Sequence, residues 1–329
     1  MVRAVGMFSG GLDSSLAIKI IQEQGIEVIG LHFESPFCSC GESGCLVKIA
    51  AKELEMKLML VDEGMEFIRM IRKPKHGYGS AINPCIDCRI HRLRKAKRIA
   101  KKLGASFIFT GEVLGQRPMS QHMRSLRLIE KEAGLVGKLL RPLSAKVLSK
   151  TEAEKNGLVD REKLLGIHGR RRIIQMELAK RYGLNHYQSP GGGCPLTEKA
   201  FAKKLRDLFK HRKRLSMNEV LLLKYGRHFR IGKNKVIVGR NKRDNEVLLL
   251  LKGKWDYAFE VPDIGSPITI LRGPKGMNII WAAASLTARY SDSKDENVRV
   301  DYWRTKKRSD ITVSPAAKRF CDEYMLTTG

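Results

Sequence analysis

The chain has no long apolar run. None of its 329 residues fall in a stretch approaching the ~20 apolar residues that a membrane-spanning helix needs, and the N-terminal apolar segment is cut short by Gly10-Gly11. It reads as neither signal nor anchor, and the expectation is a cytoplasmic protein without a membrane partner. Acidic residues are scarce too: Asp+Glu number 34 against 62 Lys+Arg, a formal net charge of +28. That excess is beyond what solubility requires and points to a polyanionic partner, most commonly nucleic acid; the alternative is a well-solvated lysine-rich surface. The glycine turn lacks the lysine of a Walker loop and the spacing of a dinucleotide fingerprint, which sets both of those nucleotide-binding classes aside. Seven cysteines in a reducing compartment read as ligands or nucleophiles rather than disulfides. The length suits two domains, each with its own core.

What is present is organised around Ser9-Gly10-Gly11-Leu12-Asp13-Ser14-Ser15. An apolar run from Val2 to Phe8 suits a buried strand, and Leu16 to Ile21 suits a helix. A glycine turn between them lets backbone N–H groups converge on an anion at a helix N-terminus, with the serine hydroxyls as further donors. Phosphate is the natural guest for Ser9, Gly10, Gly11, Ser14 and Ser15. The motif resembles the PP-loop of ATP pyrophosphatases, which adenylate an oxygen and release pyrophosphate. That resemblance implies ATP and Mg2+, with Asp13 managing the magnesium and phosphates.

Further βα alternation follows: a strand over Ile26–Phe33, a helix over Val47–Leu54, a strand over Lys57–Val61 and another over Ala105–Gly111. This pattern predicts an α/β fold with a doubly wound parallel sheet and the ligand beyond the strand C-termini, where Ser9, His32 and Phe33 fall. His32 reads either as a strand cap or as part of a nucleoside wall, and Phe33 as that wall or as core.

Cys85-Ile86-Asp87-Cys88 enters a strongly basic helix, and one turn brings both sulfurs to one side. Alone, the pair is open between a redox dithiol, half a zinc site and part of an iron–sulfur site. Cys194 sits in a Gly/Pro-rich segment, residues 189–195, suited to presenting a sulfur. A third group, Cys38, Cys40 and Cys45, is open between zinc, sulfur relay and no metal.

Thr110-Gly111-Glu112-Val113-Leu114-Gly115-Gln116, then Ser120-Gln121, resembles the signature of tRNA 4-thiouridine synthetases, and Leu31 to Pro36 resembles the segment after their second strand. By that resemblance Met7, Phe8, His32, Phe33, Arg89, Gly111 and Gln121 occupy ATP-contacting positions; the Arg117–Gln121 segment is one residue longer than the usual spacing. The cysteines are similar to those of tRNA thiolation enzymes holding a [4Fe-4S] cluster by three thiolates. This implies Cys85, Cys88 and Cys194 as ligands, with the fourth iron open to carry sulfide. The alternative makes Cys194 a persulfide carrier. Either way the sulfur donor is free sulfide or a cysteine desulfurase. Unlike longer family members, the sequence shows no N-terminal RNA-binding module ahead of Ser9 and no rhodanese-like domain, so another part is expected to grip the RNA.

In the middle, Thr151 and Glu154 have capping-box spacing, and Arg170-Arg171-Arg172 opens a helix over Ile173–Tyr182 where cations oppose the helix dipole, suggesting phosphate contact. A basic helix over Lys203–Arg214 precedes the expected domain boundary, giving domains 1–214 and 215–329. In the second, a hairpin over Phe229–Gly239, strands over Glu246–Leu251, Tyr257–Val261, Pro267–Leu271 and Val298–Trp303, and a helix over Met277–Tyr290 predict a smaller α+β module. It resembles the RNA-binding domain of NFACT-type proteins. Arg240, Lys242, Arg243, Arg272, Lys275, Arg304, Lys306, Lys307 and Arg308 would supply cations, with Trp255, Tyr302 and Trp303 either stacking on bases or packing the core. The whole implies an ATP-dependent tRNA sulfurtransferase making 4-thiouridine. A 2-thiolated pyrimidine, an amide or lysidine-type PP-loop ligase and a nonenzymatic RNA or ribosome-binding factor are the rivals.

Overall fold

A computed structural model describes residues 2–37, 46–187, 194–274 and 276–326, so Cys38, Cys40, Cys45, residues 189–193 and Lys275 lie outside the described residues. The chain forms two compact units, Met1–Cys194 and Pro195–Gly329.

Among the described residues, the first unit carries five strands: β1 (Arg3–Met7), β2 (Glu27–Glu34), β3 (Lys57–Asp62), β4 (Phe107–Thr110) and β5 (Leu139–Leu140). All pairings are parallel, in the order β3-β2-β1-β4-β5. Around them lie α1 (Leu12–Gln22), α2 (Leu46–Glu53), α3 (Gly64–Arg72), α4 (Cys85–Lys102), α5 (Met123–Ala133), α6 (Glu152–Lys155) and α7 (Ile173–Arg181). Successive side chains of β1 serve opposite faces. Ala4 packs with Leu16, Ile20 and Ala179 from α1 and α7, whereas Val5 and Met7 pack with Ile90, Leu93 and Ile129 from α4 and α5. Cover on both faces explains why the strands read as unbroken apolar runs. The strand order reverses between β1 and β4, the switch point beyond whose carboxyl ends sheets of this kind hold their ligands. The doubly wound parallel sheet is the one the sequence pattern predicts.

The second unit places α8 (Lys199–His211) and α9 (Met217–Leu222) ahead of an antiparallel sheet. Its strands are β6 (Arg227–Ile231), β7 (Asn234–Val238), β8 (Tyr257–Glu260), β9 (Thr269–Arg272), β10 (Val298–Trp303) and β11 (Arg308–Val313), in the order β11-β10-β8-β9-β7-β6. Helices α10 (Lys242–Leu251), α11 (Met277–Arg289) and α12 (Lys318–Tyr324) complete it, with Ile280, Ala283, Ala284 and Leu286 of α11 packed against Phe229, Phe259 and Val300 of the sheet.

The expected strand over Glu246–Leu251 is instead the C-terminal part of α10. Asn241 caps that helix by accepting from the Asp244 N–H at 2.9 Å, so the leucine run winds around an axis: Leu248 is buried while Leu250 is 80 % exposed. The units also divide ahead of the boundary expected after residue 214. The reason is electrostatic and local: Asp207 of α8 accepts from Arg230 at 2.8 and 2.6 Å and from Lys235 at 2.9 Å, tying that helix to the β6–β7 hairpin.

Candidate active site

β1 delivers the chain to Ser9 at the switch point. Gly10 adopts φ +74°, and a Cβ there would lie 2.8 Å from Val47 Cγ2, so both the conformation and the space require glycine. Gly11 then enters α1 in an extended conformation with no side-chain cap hydrogen bond, leaving first-turn amides open to an anion at the positive end of the helix. The serines are mostly turned inward. Ser14 Oγ donates to the Gly11 carbonyl at 2.8 Å and Ser15 Oγ to the same oxygen at 3.3 Å, while the Ser9 N–H donates to Ser14 Oγ at 3.3 Å. Of the three, Ser9 is exposed. Backbone amides, more than hydroxyls, are what this loop offers a phosphate.

Asp13 is the charged residue of that first turn. Its Oδ2 accepts from Gln116 Nε2 at 2.6 Å and from the Arg172 guanidinium at 3.1 Å. Gln116 is held in turn by fully buried Gln175, whose amide donates to Gln116 Oε1 at 3.1 Å. Asp13 Oδ1 is buried and has no hydrogen-bond partner among the described residues. A carboxylate fixed through one oxygen with the other unspent suits a hard divalent cation such as Mg2+.

The β4 loop closes onto α1 from the other side of the crevice. A Cβ at Gly111 would meet Asp13 O at 2.4 Å and Ser14 N at 2.6 Å, backbone atoms that cannot move aside cheaply. Next to it, buried Glu112 lies 3.1 Å from Arg141 Nε and 3.5 Å from Arg89 Nε. Burial by itself raises the Glu112 pKa, but Arg141, Arg89 and the hydrogen bonds from Arg141 and Thr110 outweigh it and hold the carboxyl below the ordinary carboxylate range. Gln121 braces the loop, accepting from the Arg117 N–H at 3.0 Å through Oε1 and from the Gly115 N–H at 2.7 Å through its carbonyl. His32 is buried, with Nδ1 3.0 Å from the Phe8 carbonyl oxygen and Nε2 unpartnered among the described residues. Met7, Phe8 and Phe33 bury their side chains in the core clusters, and the Phe8 N–H donates to the Leu31 carbonyl at 2.9 Å.

Cys85 and Cys88 stand one turn apart in the first turns of α4, both half-buried. Asn83 Nδ2 donates to Cys85 Sγ at 3.3 Å, and both Asp87 carboxylate oxygens accept main-chain N–H groups, from Lys75 and His76, each at 3.0 Å. Burial pushes the Cys88 thiol up to about 11 against the pull of Arg92 and Arg89, with Glu63 and Cys194 adding to the rise. Cys194, which is exposed, is therefore within electrostatic reach of Cys88, and also of Arg92. Arg117 links the two halves of the site, lying within reach of Arg89, Asp13, Arg172 and Cys85. Among the described residues, no three His, Cys, Asp or Glu side chains are drawn together as a ready metal site. The donor chemistry nonetheless suits a cluster: three thiols, none disulfide-bonded, with two at a helix N-terminus and Arg89 and Arg92 close by to favour an anionic group.

Gln116, Glu112, Arg141 and Gln175 emerge from the structure as site residues beyond those the sequence singled out. Arg172, from the Arg cluster before α7 expected to contact phosphate, reaches Asp13. In the second unit, Arg240, Arg272 and Arg308 are engaged by Asp244, Asp256 and Glu260. Trp255 is 63 % exposed, with Lys254 Nζ 5.4 Å and Arg304 Cζ 5.2 Å from its ring centroid, while Tyr302 stacks on buried Phe259.

Residues 2–155 match the family model described as Thiamine biosynthesis protein (ThiI), and residues 226–325 match NFACT protein RNA binding domain. Among curated relatives, tRNA-specific 2-thiouridylase MnmA of Petrotoga mobilis is 32% identical over 126 residues, covering 33% of this chain and 34% of that protein. "Probable tRNA sulfurtransferase" of Thermococcus kodakarensis is 29% identical over 149 residues, 43% of this chain and 36% of that one. The matched part thus spans about a third of the length of these relatives. A solved 4-thiouridine synthetase–RNA complex with bound ATP aligns at TM-score 0.41 and 20% identity, over 67% of this chain and 52% of the other.

Proposed function

We propose that this chain, which joins a ThiI-type PP-loop domain to an NFACT-type RNA-binding domain, is an ATP-dependent tRNA sulfurtransferase whose product is 4-thiouridine. The observation that carries the proposal is the meeting of two chemistries around Arg117: the phosphate-facing end of α1 with Asp13 on one side, and Cys85 at the head of α4 on the other.

The uncapped amides of the first turn of α1 receive the ATP phosphates. A uridine carbonyl oxygen attacks the α-phosphorus, the bond to the bridging oxygen breaks, and pyrophosphate leaves. Asp13, held by Gln116 and Arg172, presents Oδ1 to the Mg2+ that accompanies the phosphates, and Arg117, Arg89 and Arg172 offset the charge that builds on the leaving group. Sulfur then adds to the activated carbon, and AMP departs with the former carbonyl oxygen. Cys85, Cys88 and Cys194 are the residues that would hold a [4Fe-4S] cluster, which when bound supplies a place for the transferable sulfide. Free sulfide or a cysteine desulfurase is the source of that sulfur, and reduced thiols fit a cytoplasmic setting. The exposed Trp255 with Lys254 and Arg304 gives the RNA a stacking and charged surface.

The test is incubation of the anaerobically purified full chain with ATP, sulfide and unmodified tRNA, followed by nucleoside mass spectrometry. A new 4-thiouridine that is lost in Cys194→Ala, while tRNA binding persists, is expected. No thionucleoside with the wild-type chain would overturn the reading. The likeness to tRNA-specific 2-thiouridylases favours 2-thiouridine as a second reading, which the same spectrum distinguishes.

A further inference from the structure

A cavity lined by residues 207–274 lies wholly within the second unit. It has a volume of about 380 Å³, within the roughly 300–1,000 Å³ of small-molecule sites. The RNA-binding family model begins at residue 226, whereas α8 and α9 precede it. The cavity is therefore composite: Leu208 of α8 and Leu222 of α9 line it together with Ile237 of β7. The Asp207 pairs with Arg230 and Lys235 hold α8 in place and neutralise the acid.

Two further features point to an occupant. Lys210 and Lys233 line the cavity and make no ion pair among the described residues, leaving positive charge unspent. His228, fully buried, also lines it. Its Nε2 is 2.7 Å from the Tyr225 carbonyl oxygen and so donates there, which leaves Nδ1 as an acceptor in the neutral ring. Nδ1 is buried without a hydrogen-bond partner among the described residues. Burial, with Lys235 and Lys204 nearby, keeps the imidazole neutral by drawing its pKa well below the usual value. An apolar floor, one buried acceptor and an unpaired cationic rim ask for a flat, partly apolar ligand that carries an N–H donor and a phosphate.

We infer that this cavity binds a single nucleotide, its base on the leucine and isoleucine floor with an N–H directed to His228 Nδ1 and its phosphate on Lys210 and Lys233. A nucleotide turned out of a bound RNA strand and a free nucleoside monophosphate share that chemistry. The inference adds to the RNA-binding reading of this unit without depending on sulfur transfer.

The test is photolabelling of the full chain with two probes, 8-azidoadenosine 5′-monophosphate and a single-stranded RNA containing 5-iodouridine, with peptides mapped by mass spectrometry. Labelling is expected within residues 205–237, and the surface double variant Lys210→Glu/Lys233→Glu is expected to lower it by about tenfold or more while PP-loop peptides keep theirs. Labelling by the RNA alone identifies a strand nucleotide as the occupant; labelling by the monophosphate alone identifies a free one. No labelling of 205–237 by either probe, or labelling unmoved by the double variant, overturns the inference. Thionucleoside formation, measured in the same preparations, reports separately on the proposed activity.

Discussion

The guanidinium of Arg172 stands 3.1 Å from the Asp13 carboxylate, 159 residues earlier in the chain. Asp13 lies in the first turn of α1 and Arg172 immediately precedes α7, so the pair joins the phosphate loop to α7. With Gln116 on the same oxygen, it fixes which face of the carboxylate remains available.

Removing either support should therefore impair turnover without unfolding the protein. Arg172→Ala and Gln116→Ala are each expected to lower ATP-dependent pyrophosphate release by about 10–100-fold, the usual effect of losing a residue that orients a metal-facing ligand. Their thermal midpoints should stay near wild type. Activity retained in both variants would show that Asp13 needs no such support.

Gly111→Ala should act sterically. The added carbon would sit 2.4 Å from Asp13 O, and separating the β4 loop from α1 costs about 1–3 kcal/mol as an overpacked contact. A lower melting temperature together with weaker ATP binding is expected. Gly166→Ala, at a glycine that likewise lacks a positive φ and where the nearest atom to a Cβ would be 3.4 Å away, is the control for the substitution without overpacking.

Lys204 gives a pH signature. Burial ahead of its other causes, with Arg240 adding to the effect, lowers its pKa to about 8, while among the described residues its Nζ hydrogen-bonds the Leu223 carbonyl alone, at 3.4 Å. The unfolded chain then binds the proton more tightly, so the cost of the buried charge is complete below pH 8 and disappears as pH rises towards the ordinary lysine value of 10.5. Lys204→Met should be more stable than wild type by a margin that is greatest below pH 8 and shrinks between pH 8 and 10.5. Denaturant midpoints across that range measure it, and a margin independent of pH would refute the assignment.

Trp255→Ala should weaken RNA binding by about 1–3 kcal/mol if its ring stacks on a base. Arg304→Ala should instead flatten the salt dependence by about one phosphate contact. Filter binding at several salt concentrations separates the two effects. An unchanged affinity in Trp255→Ala would assign that face another purpose.

The strand, glycine turn and first helix were legible in the sequence because periodicity and turn chemistry are local properties. The parallel sheet followed from the same alternation. Gln175 could not be found that way: its signal is a buried amide facing Gln116 across 59 residues, which only the closed fold brings together. The misread of Glu246–Leu251 has a different cause. A short run of four leucines fits a buried strand or a helix equally, and the capping information that decides between them lies upstream at Asn241, where one side-chain acceptor starts the helix. The cysteines fall between these cases, since the spacing of Cys85 and Cys88 was readable while the electrostatic neighbourhood joining Cys88 to Cys194 was not.

The position of Glu112 has a mechanical consequence. It grips Arg89, the residue directly after Cys88 on α4, and is itself clamped by Arg141 after β5. A twist of α4 about its long axis would have to pull a guanidinium off a sequestered carboxylate, so strain arising at the sulfur-bearing end of that rod is passed to the neighbour of Gly111 and from there to the floor beneath the triphosphate.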